Sequence, residues 1–121
     1  MKTMSLITTS IQIEQFLSEF KNLARTNGVR FWQRPENQSM MNMLELTESV
    51  VTHDILLNLT AKDYYEGPKH EEGHSDAWSF GQKIEGQNVY IKLTITEKKK
   101  RKRAECISFH EPTQPLSYPH R

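Results

Sequence analysis

One cysteine, Cys106, stands in a chain of 121 residues. An internal disulfide is therefore impossible, and a zinc site built from several thiolates is excluded. A lone thiol suits a reducing compartment, and the expected location is the cytoplasm. No stretch approaches the ~18 apolar residues that a membrane-spanning helix needs, so no membrane partner is expected. The opening residues, Met1-Lys2-Thr3-Met4-Ser5-Leu6-Ile7, reach Thr8-Thr9-Ser10 without a sustained apolar segment, so no secretory signal is expected. Apolar residues make up 36 % of the chain, which permits one core but not a thick one. No internal repeat is visible. The length predicts one domain over 1–121, with a flexible N-terminus over 1–9, helices over 10–66, a sheet over 77–110 and an extended tail over 111–121.

The net charge is only +1, yet the charge is unevenly spread. Residues 98–121 carry seven Lys/Arg against two Asp/Glu, while residues 61–97 carry four against seven. Most of the excess is the run Lys98, Lys99, Lys100, Arg101, Lys102 and Arg103. Such a patch attracts polyanions even when the whole chain is nearly neutral.

Apolar residues at Ile13, Phe16, Leu17, Phe20 and Ala24 recur at helical spacing, and Ser10 can cap that helix while Asn27-Gly28 stops it. Val29-Arg30-Phe31-Trp32 reads as a connector. Pro35 and Asn37 introduce a second helix, and Thr47 a third with Val50, Val51, Ile55, Leu56 and Leu59 buried. Thr60-Ala61-Lys62-Asp63 has the form of a capping box, so a short turn is expected to carry Tyr64 and Tyr65. Residues 67–76 read as a loop. The period then changes to two. Ala77–Ile84 is a candidate strand, Glu85-Gly86-Gln87 a turn, and Asn88–Thr96 the clearest strand of the chain. The basic run is expected to be a loop before a strand over Glu105–His110. Helices followed by strands predict an α+β fold, with the helices packed on one face of an antiparallel meander.

Alternation then assigns faces. Val89, Ile91, Leu93, Ile95, Ile107 and Phe109 are expected to meet the helices, while Tyr90, Lys92, Cys106, Ser108 and His110 face the other way. With residue numbers summing to 200 or 202 across the hairpin, Tyr90, Lys92 and His110 come within cross-strand or diagonal reach. That trio suits cleavage of RNA, which carries its own nucleophile in the 2′-OH. Imidazole exchanges protons near neutral pH, a phenol donates a hydrogen bond, and an ammonium offsets charge on the phosphorane. No metal or other cofactor is required.

Several stretches carry a resemblance: Leu59-Thr60-Ala61-Lys62-Asp63-Tyr64-Tyr65-Glu66-Gly67-Pro68, Trp78-Ser79-Phe80-Gly81-Gln82-Lys83, Val89-Tyr90-Ile91-Lys92-Leu93 and Cys106-Ile107-Ser108-Phe109-His110-Glu111. In order and spacing, over roughly residues 31–119, the chain resembles the motility quorum-sensing regulator (MqsR) family of bacterial type II toxins, in its Gram-positive-type branch. The resemblance implies a RelE-like fold, sequence-preferring mRNA cleavage independent of the ribosome, and a cognate antitoxin. It also implies a functional lysine, glutamine and tyrosine. The tyrosine falls on Tyr90. The lysine falls near Glu66 and the glutamine near Ser79, so neither is retained. Either His110 takes over the acid–base work, or this chain is less active.

Other readings compete. A non-catalytic RNA-binding or regulatory module on the same fold would use the same polar face. His70-Glu71-Glu72-Gly73-His74 matches the H-E-x-x-H pattern of zinc hydrolases formally. That pattern works only when both histidines share a helical face, and Gly67, Pro68 and Gly73 oppose a helix. Cys106 beside His110 could form a nucleophilic pair, although an inert strand cysteine is the commoner arrangement. Lys98 to Arg103, Tyr64 and Ser108 are the expected RNA contacts, with the basic run on phosphates and Tyr64 or Tyr65 stacking a base.

Overall fold

The computed structural model of the protein describes residues 8–71 and 74–121. Residues 1–7 of the expected N-terminal segment, and Glu72-Gly73 of the histidine motif, lie outside the described residues.

Helix α1 spans Ser10–Asn27. Its cap is Thr9 rather than Ser10: the Thr9 hydroxyl accepts from the Gln12 amide at 3.1 Å, and the Gln12 side chain closes a capping box at the Thr9 amide. Gly28, at φ 78°, ends the helix where an L side chain would be strained. Ile13, Leu17, Phe20 and Ala24 are buried as their spacing predicts. Helix α2 covers Pro35–Met43, with proline in its first turn. The expected third helix is only one α-turn, α3 at Glu48–Val50, which widens into a π segment over Val51–Ile55 and tightens to 3₁₀ over Leu56–Asn58. Successive β-branched residues disfavour a regular helix here. Val50 is exposed rather than buried.

The fold is α+β. Five strands form one sheet in the order β1-β5-β4-β3-β2, with β1 Val29–Phe31, β2 Tyr64–Glu71, β3 His74–Ile84, β4 Gln87–Lys98 and β5 Arg101–His110. Three readings change. The expected connector is strand β1, which runs parallel to β5 and makes the sheet mixed. Residues 64–71 form β2, whose pairing with β3 shifts register three times, so it has no clean alternation. The basic run is mostly strand: β4 continues to Lys98 and β5 begins at Arg101.

Both inner hairpins turn through two left-handed residues, Glu85 (φ 49°) with Gly86 (φ 82°), and Lys99 (φ 51°) with Lys100 (φ 66°). Phe80, Ile91, Leu93 and Phe109 meet the α1 stripe in the core. Trp78 stacks on Phe16, with centroids 4.7 Å apart.

Candidate functional site

The site begins with the register of β4 and β5. Tyr90 stands opposite His110 and Lys92 opposite Ser108, which is the 200-sum alignment. A bulge follows, and from Leu93↔Cys106 onward the sum is one lower. The bulge reverses the parity of the rest of β5 relative to simple alternation. Cys106 consequently joins the core cluster beneath the helices, and Ile107, expected there, lies outside that cluster although buried. Cys106 is fully buried, and desolvation, with help from nearby Glu48, pushes its thiol far above the ordinary cysteine range. It is no partner for His110.

Asn37 holds the bulge in place. Its side-chain amide donates to the Ile107 carbonyl at 3.0 Å and to the Trp32 carbonyl at 3.1 Å, while its carbonyl oxygen accepts from the Phe109 amide at 2.9 Å. Backbone groups beside the bulge thereby gain partners that a regular ladder would have supplied.

Around this frame the polar side chains converge. The Tyr90 and His110 rings lie 5.5 Å apart between centroids. The Tyr90 hydroxyl is 2.8 Å from Ser79 Oγ, and Tyr65 meets the Tyr90 ring edge-on at 6.3 Å. Nδ1 of His110 lies 2.7 Å from the Glu111 carbonyl oxygen. A carbonyl only accepts, so Nδ1 carries the proton and the neutral ring presents Nε2 as a lone pair. Arg34, which sequence reasoning passed over, reaches from the start of α2 to donate to Ser108 Oγ at 3.2 Å. Lys69 is paired with Glu66 at 3.2 Å, and that hydrogen bond raises its pKa, with smaller contributions from Tyr90 and Tyr65. An ammonium thus lies three residues from the position where the resemblance expects one. Gly81 faces Tyr90 across β3 and β4, and Leu116 and Tyr118 of the tail close over it.

Two expected RNA contacts are not available as imagined. Tyr64 pairs with Phe80 and is therefore buried on the helix side, its hydroxyl donating to the Gly67 carbonyl. Tyr65, one residue on, occupies the polar face instead. Ser108 is also buried, under Arg34. The basic run divides between two faces. Lys98 pairs with Arg101 and Thr96 with Arg103 on the polar face, whereas Lys102 turns to α1 and meets Glu19 at 2.7 Å. Lys99 and Lys100 form the exposed hairpin tip.

The histidine motif does not form a helix. Its first two residues end β2 and His74 begins β3, so helical spacing does not apply. His70 Nδ1 lies 3.5 Å from an Asp76 carboxylate oxygen. Among the described residues, no three His, Cys, Asp or Glu side chains are grouped to hold a metal ion. Among them, too, no helix is long and apolar enough to cross a membrane.

The sequence model of the family described as "Motility quorum-sensing regulator, toxin of MqsA" matches residues 14–111. The chain belongs to this toxin family. No curated protein and no solved structure matches it. The motility quorum-sensing regulator match begins in α1 and ends one residue past His110. It therefore encloses the five strands of the sheet and the cluster around Tyr90. Membership makes the protein a toxin of a toxin–antitoxin system and implies an antitoxin partner.

Proposed function

We propose that this toxin is an endoribonuclease that cuts mRNA with sequence preference and without a metal, acting in the cytoplasm. The observation that carries the reading is the convergence of Tyr90, Lys92 and His110 on one sheet face, with His110 held in a defined tautomer by the Glu111 carbonyl. Nε2 of His110 accepts the 2′-OH proton as O2′ attacks phosphorus. The P–O5′ bond breaks, and the Tyr90 hydroxyl protonates the departing oxygen. Lys92 and Arg34 offset the charge on the phosphorane. The product is a 2′,3′-cyclic phosphate and a 5′-hydroxyl. Ser79 fixes the direction of the Tyr90 hydroxyl and is a positioning residue.

The test compares the wild type with a triple variant, Tyr90→Phe, Lys92→Ala and His110→Ala, on RNA and in growth arrest. Wild type should cut RNA in the presence of EDTA, and 2′-deoxy substitution at the cleaved nucleotide should block cutting. A triple variant that cuts at the wild-type rate removes the site from this face. Wild type that binds RNA and never cuts it replaces the enzyme with a binding module. Activity lost to EDTA and restored by zinc overturns the metal-free chemistry.

A further inference from the structure

A second feature of the polar face extends from the candidate site along β5. Arg30 on β1 is opposite Glu105, so it shares the face of Arg103, Arg101 and Lys98. Past β1 the chain keeps to the edge of β5, with the Trp32 amide donating to the Cys106 carbonyl at 3.0 Å. Arg30, Trp32, Arg34, Lys98, Arg101 and Arg103 line one broad groove of ≈ 1170 Å³, whose rim reaches Lys102 and, on α1, Leu23 and Asn27. That exceeds the ~300–1,000 Å³ of ordinary small-molecule pockets and suits a segment of polymer.

The acid in the groove is already engaged. Glu105 accepts from Trp32 Nε1 at 2.8 Å and from Thr96 Oγ1 at 2.9 Å. It orients the half-buried indole. Arg34 lies over that ring at 5.7 Å and joins the groove to Ser108, in the row of Lys92. At ~3.3 Å per residue, β5 from Arg101 to His110 carries this track about 30 Å.

We infer that the groove binds the stretch of single-stranded RNA adjoining the cleaved phosphate, with Trp32 as the base-stacking element and Arg30, Arg34, Lys98, Arg101 and Arg103 on the phosphates. A line of cations with an aromatic set among them is the arrangement that holds single strands. The inference rests on the ribonuclease reading for the identity of the polymer. Lys102, at the rim of the groove, is already paired with Glu19.

The probe is a 2′-O-methyl RNA of about 12 nucleotides, within the usual site size for single strands. It cannot be cut by 2′-OH attack, so binding is read on the intact wild-type chain. Tryptophan fluorescence should be quenched on binding, and Trp32→Phe should abolish the quench, because Trp78 is stacked on Phe16 on the other side of the sheet. The double variant Arg30→Gln/Arg103→Gln should lower the slope of log affinity against log salt by about 1.4, and Lys62→Gln, at an exposed lysine outside the groove, should leave it unchanged. Quenching that persists in Trp32→Phe, or a slope that falls as much for Lys62→Gln, overturns the groove. So does quenching of Trp32 by polyglutamate and not by the RNA probe, which would assign the groove to an acidic protein partner. Cleavage of unmodified RNA separates the two ideas. Wild type that cuts RNA while groove variants bind normally ends the groove inference alone. Groove-dependent binding with no cutting ends the ribonuclease reading alone.

Discussion

Tyr90 and His110 face each other directly across β4 and β5, twenty residues apart in sequence, with ring centroids at 5.5 Å. The pair sits at the open end of its hairpin, far from the turn at Lys99-Lys100. Its geometry depends on everything between the pair and that turn, including one bulge, and several consequences can be measured.

Neighbouring residues of β5 should separate fold from chemistry. Phe109 is fully buried, so Phe109→Ala should lower unfolding free energy by about 3–5 kcal/mol. His110 faces away from the core. His110→Ala should shift denaturant midpoints little and lower cleavage by about 10²–10⁴-fold. Equal effects of the two substitutions on stability would refute this division of the strand.

Asn37→Ala removes three hydrogen bonds, two of them at the bulge, and takes the side-chain partner from the buried Phe109 amide, while the Trp32 and Ile107 carbonyls keep Arg34 donors. An unsatisfied buried group costs ~1–3 kcal/mol, so a loss of that size is expected in urea unfolding. Activity should fall further than stability accounts for, because the bulge sets the alignment of Ser108 and His110. A variant with normal stability would mean that water replaces the side chain fully.

The buried thiol predicts an alkaline limit. Burial raises the folded Cys106 pKa above its unfolded value of about 8.5. The unfolded chain then loses this proton first. The contribution is fully present below about pH 8.5 and declines above it, by ~1.4 kcal/mol per pH unit. Subtracting the stability curve of Cys106→Ala from that of wild type, from pH 7 to 10, should isolate this slope. A flat difference would contradict it. The native thiol should also resist maleimide until the protein unfolds.

Gly81→Ala probes the tail. An added Cβ would come within 2.7 Å of Leu116 Cδ1 and the Tyr118 hydroxyl, both ends of movable side chains. The fold should therefore survive while the tail lifts, even though His120 and Arg121 still reach Thr8 and the Lys62 carbonyl. Limited proteolysis should cut residues 111–121 sooner in the variant. Identical cleavage kinetics would show that the tail already stands off the sheet.

The helices and central strands were legible because their burial follows one period. The Ile13, Leu17, Phe20, Ala24 stripe and the alternation of Val89, Ile91 and Leu93 all enter the core cluster. The Thr60 capping box was legible too, since its two partners are local. What alternation could not reveal was an insertion. The bulge moves Cys106 into the core without leaving a compositional mark. Three-residue β1 is too short to have a period, and β2 loses its own to repeated register shifts. Arg34 stayed hidden because its role depends on a contact 74 residues distant in sequence. Tyr64 and Tyr65 were not separable, since adjacent residues on a strand take opposite faces and only the register tells which.

The two hairpin tips have a kinetic consequence. Glycine supplies one of the two left-handed residues at Glu85-Gly86, whereas lysine must supply both at Lys99-Lys100. Left-handed backbone at a non-glycine residue costs ~1–2 kcal/mol, so the second turn is a poor nucleus. The β3–β4 hairpin is thus expected to close first, and β5 to add onto it as Phe109 and Cys106 find the core. Folding-kinetic φ-values should accordingly be high around Gly86 and near zero for His110. A chain that assembles in this order stays without its candidate chemistry until the last strand has docked.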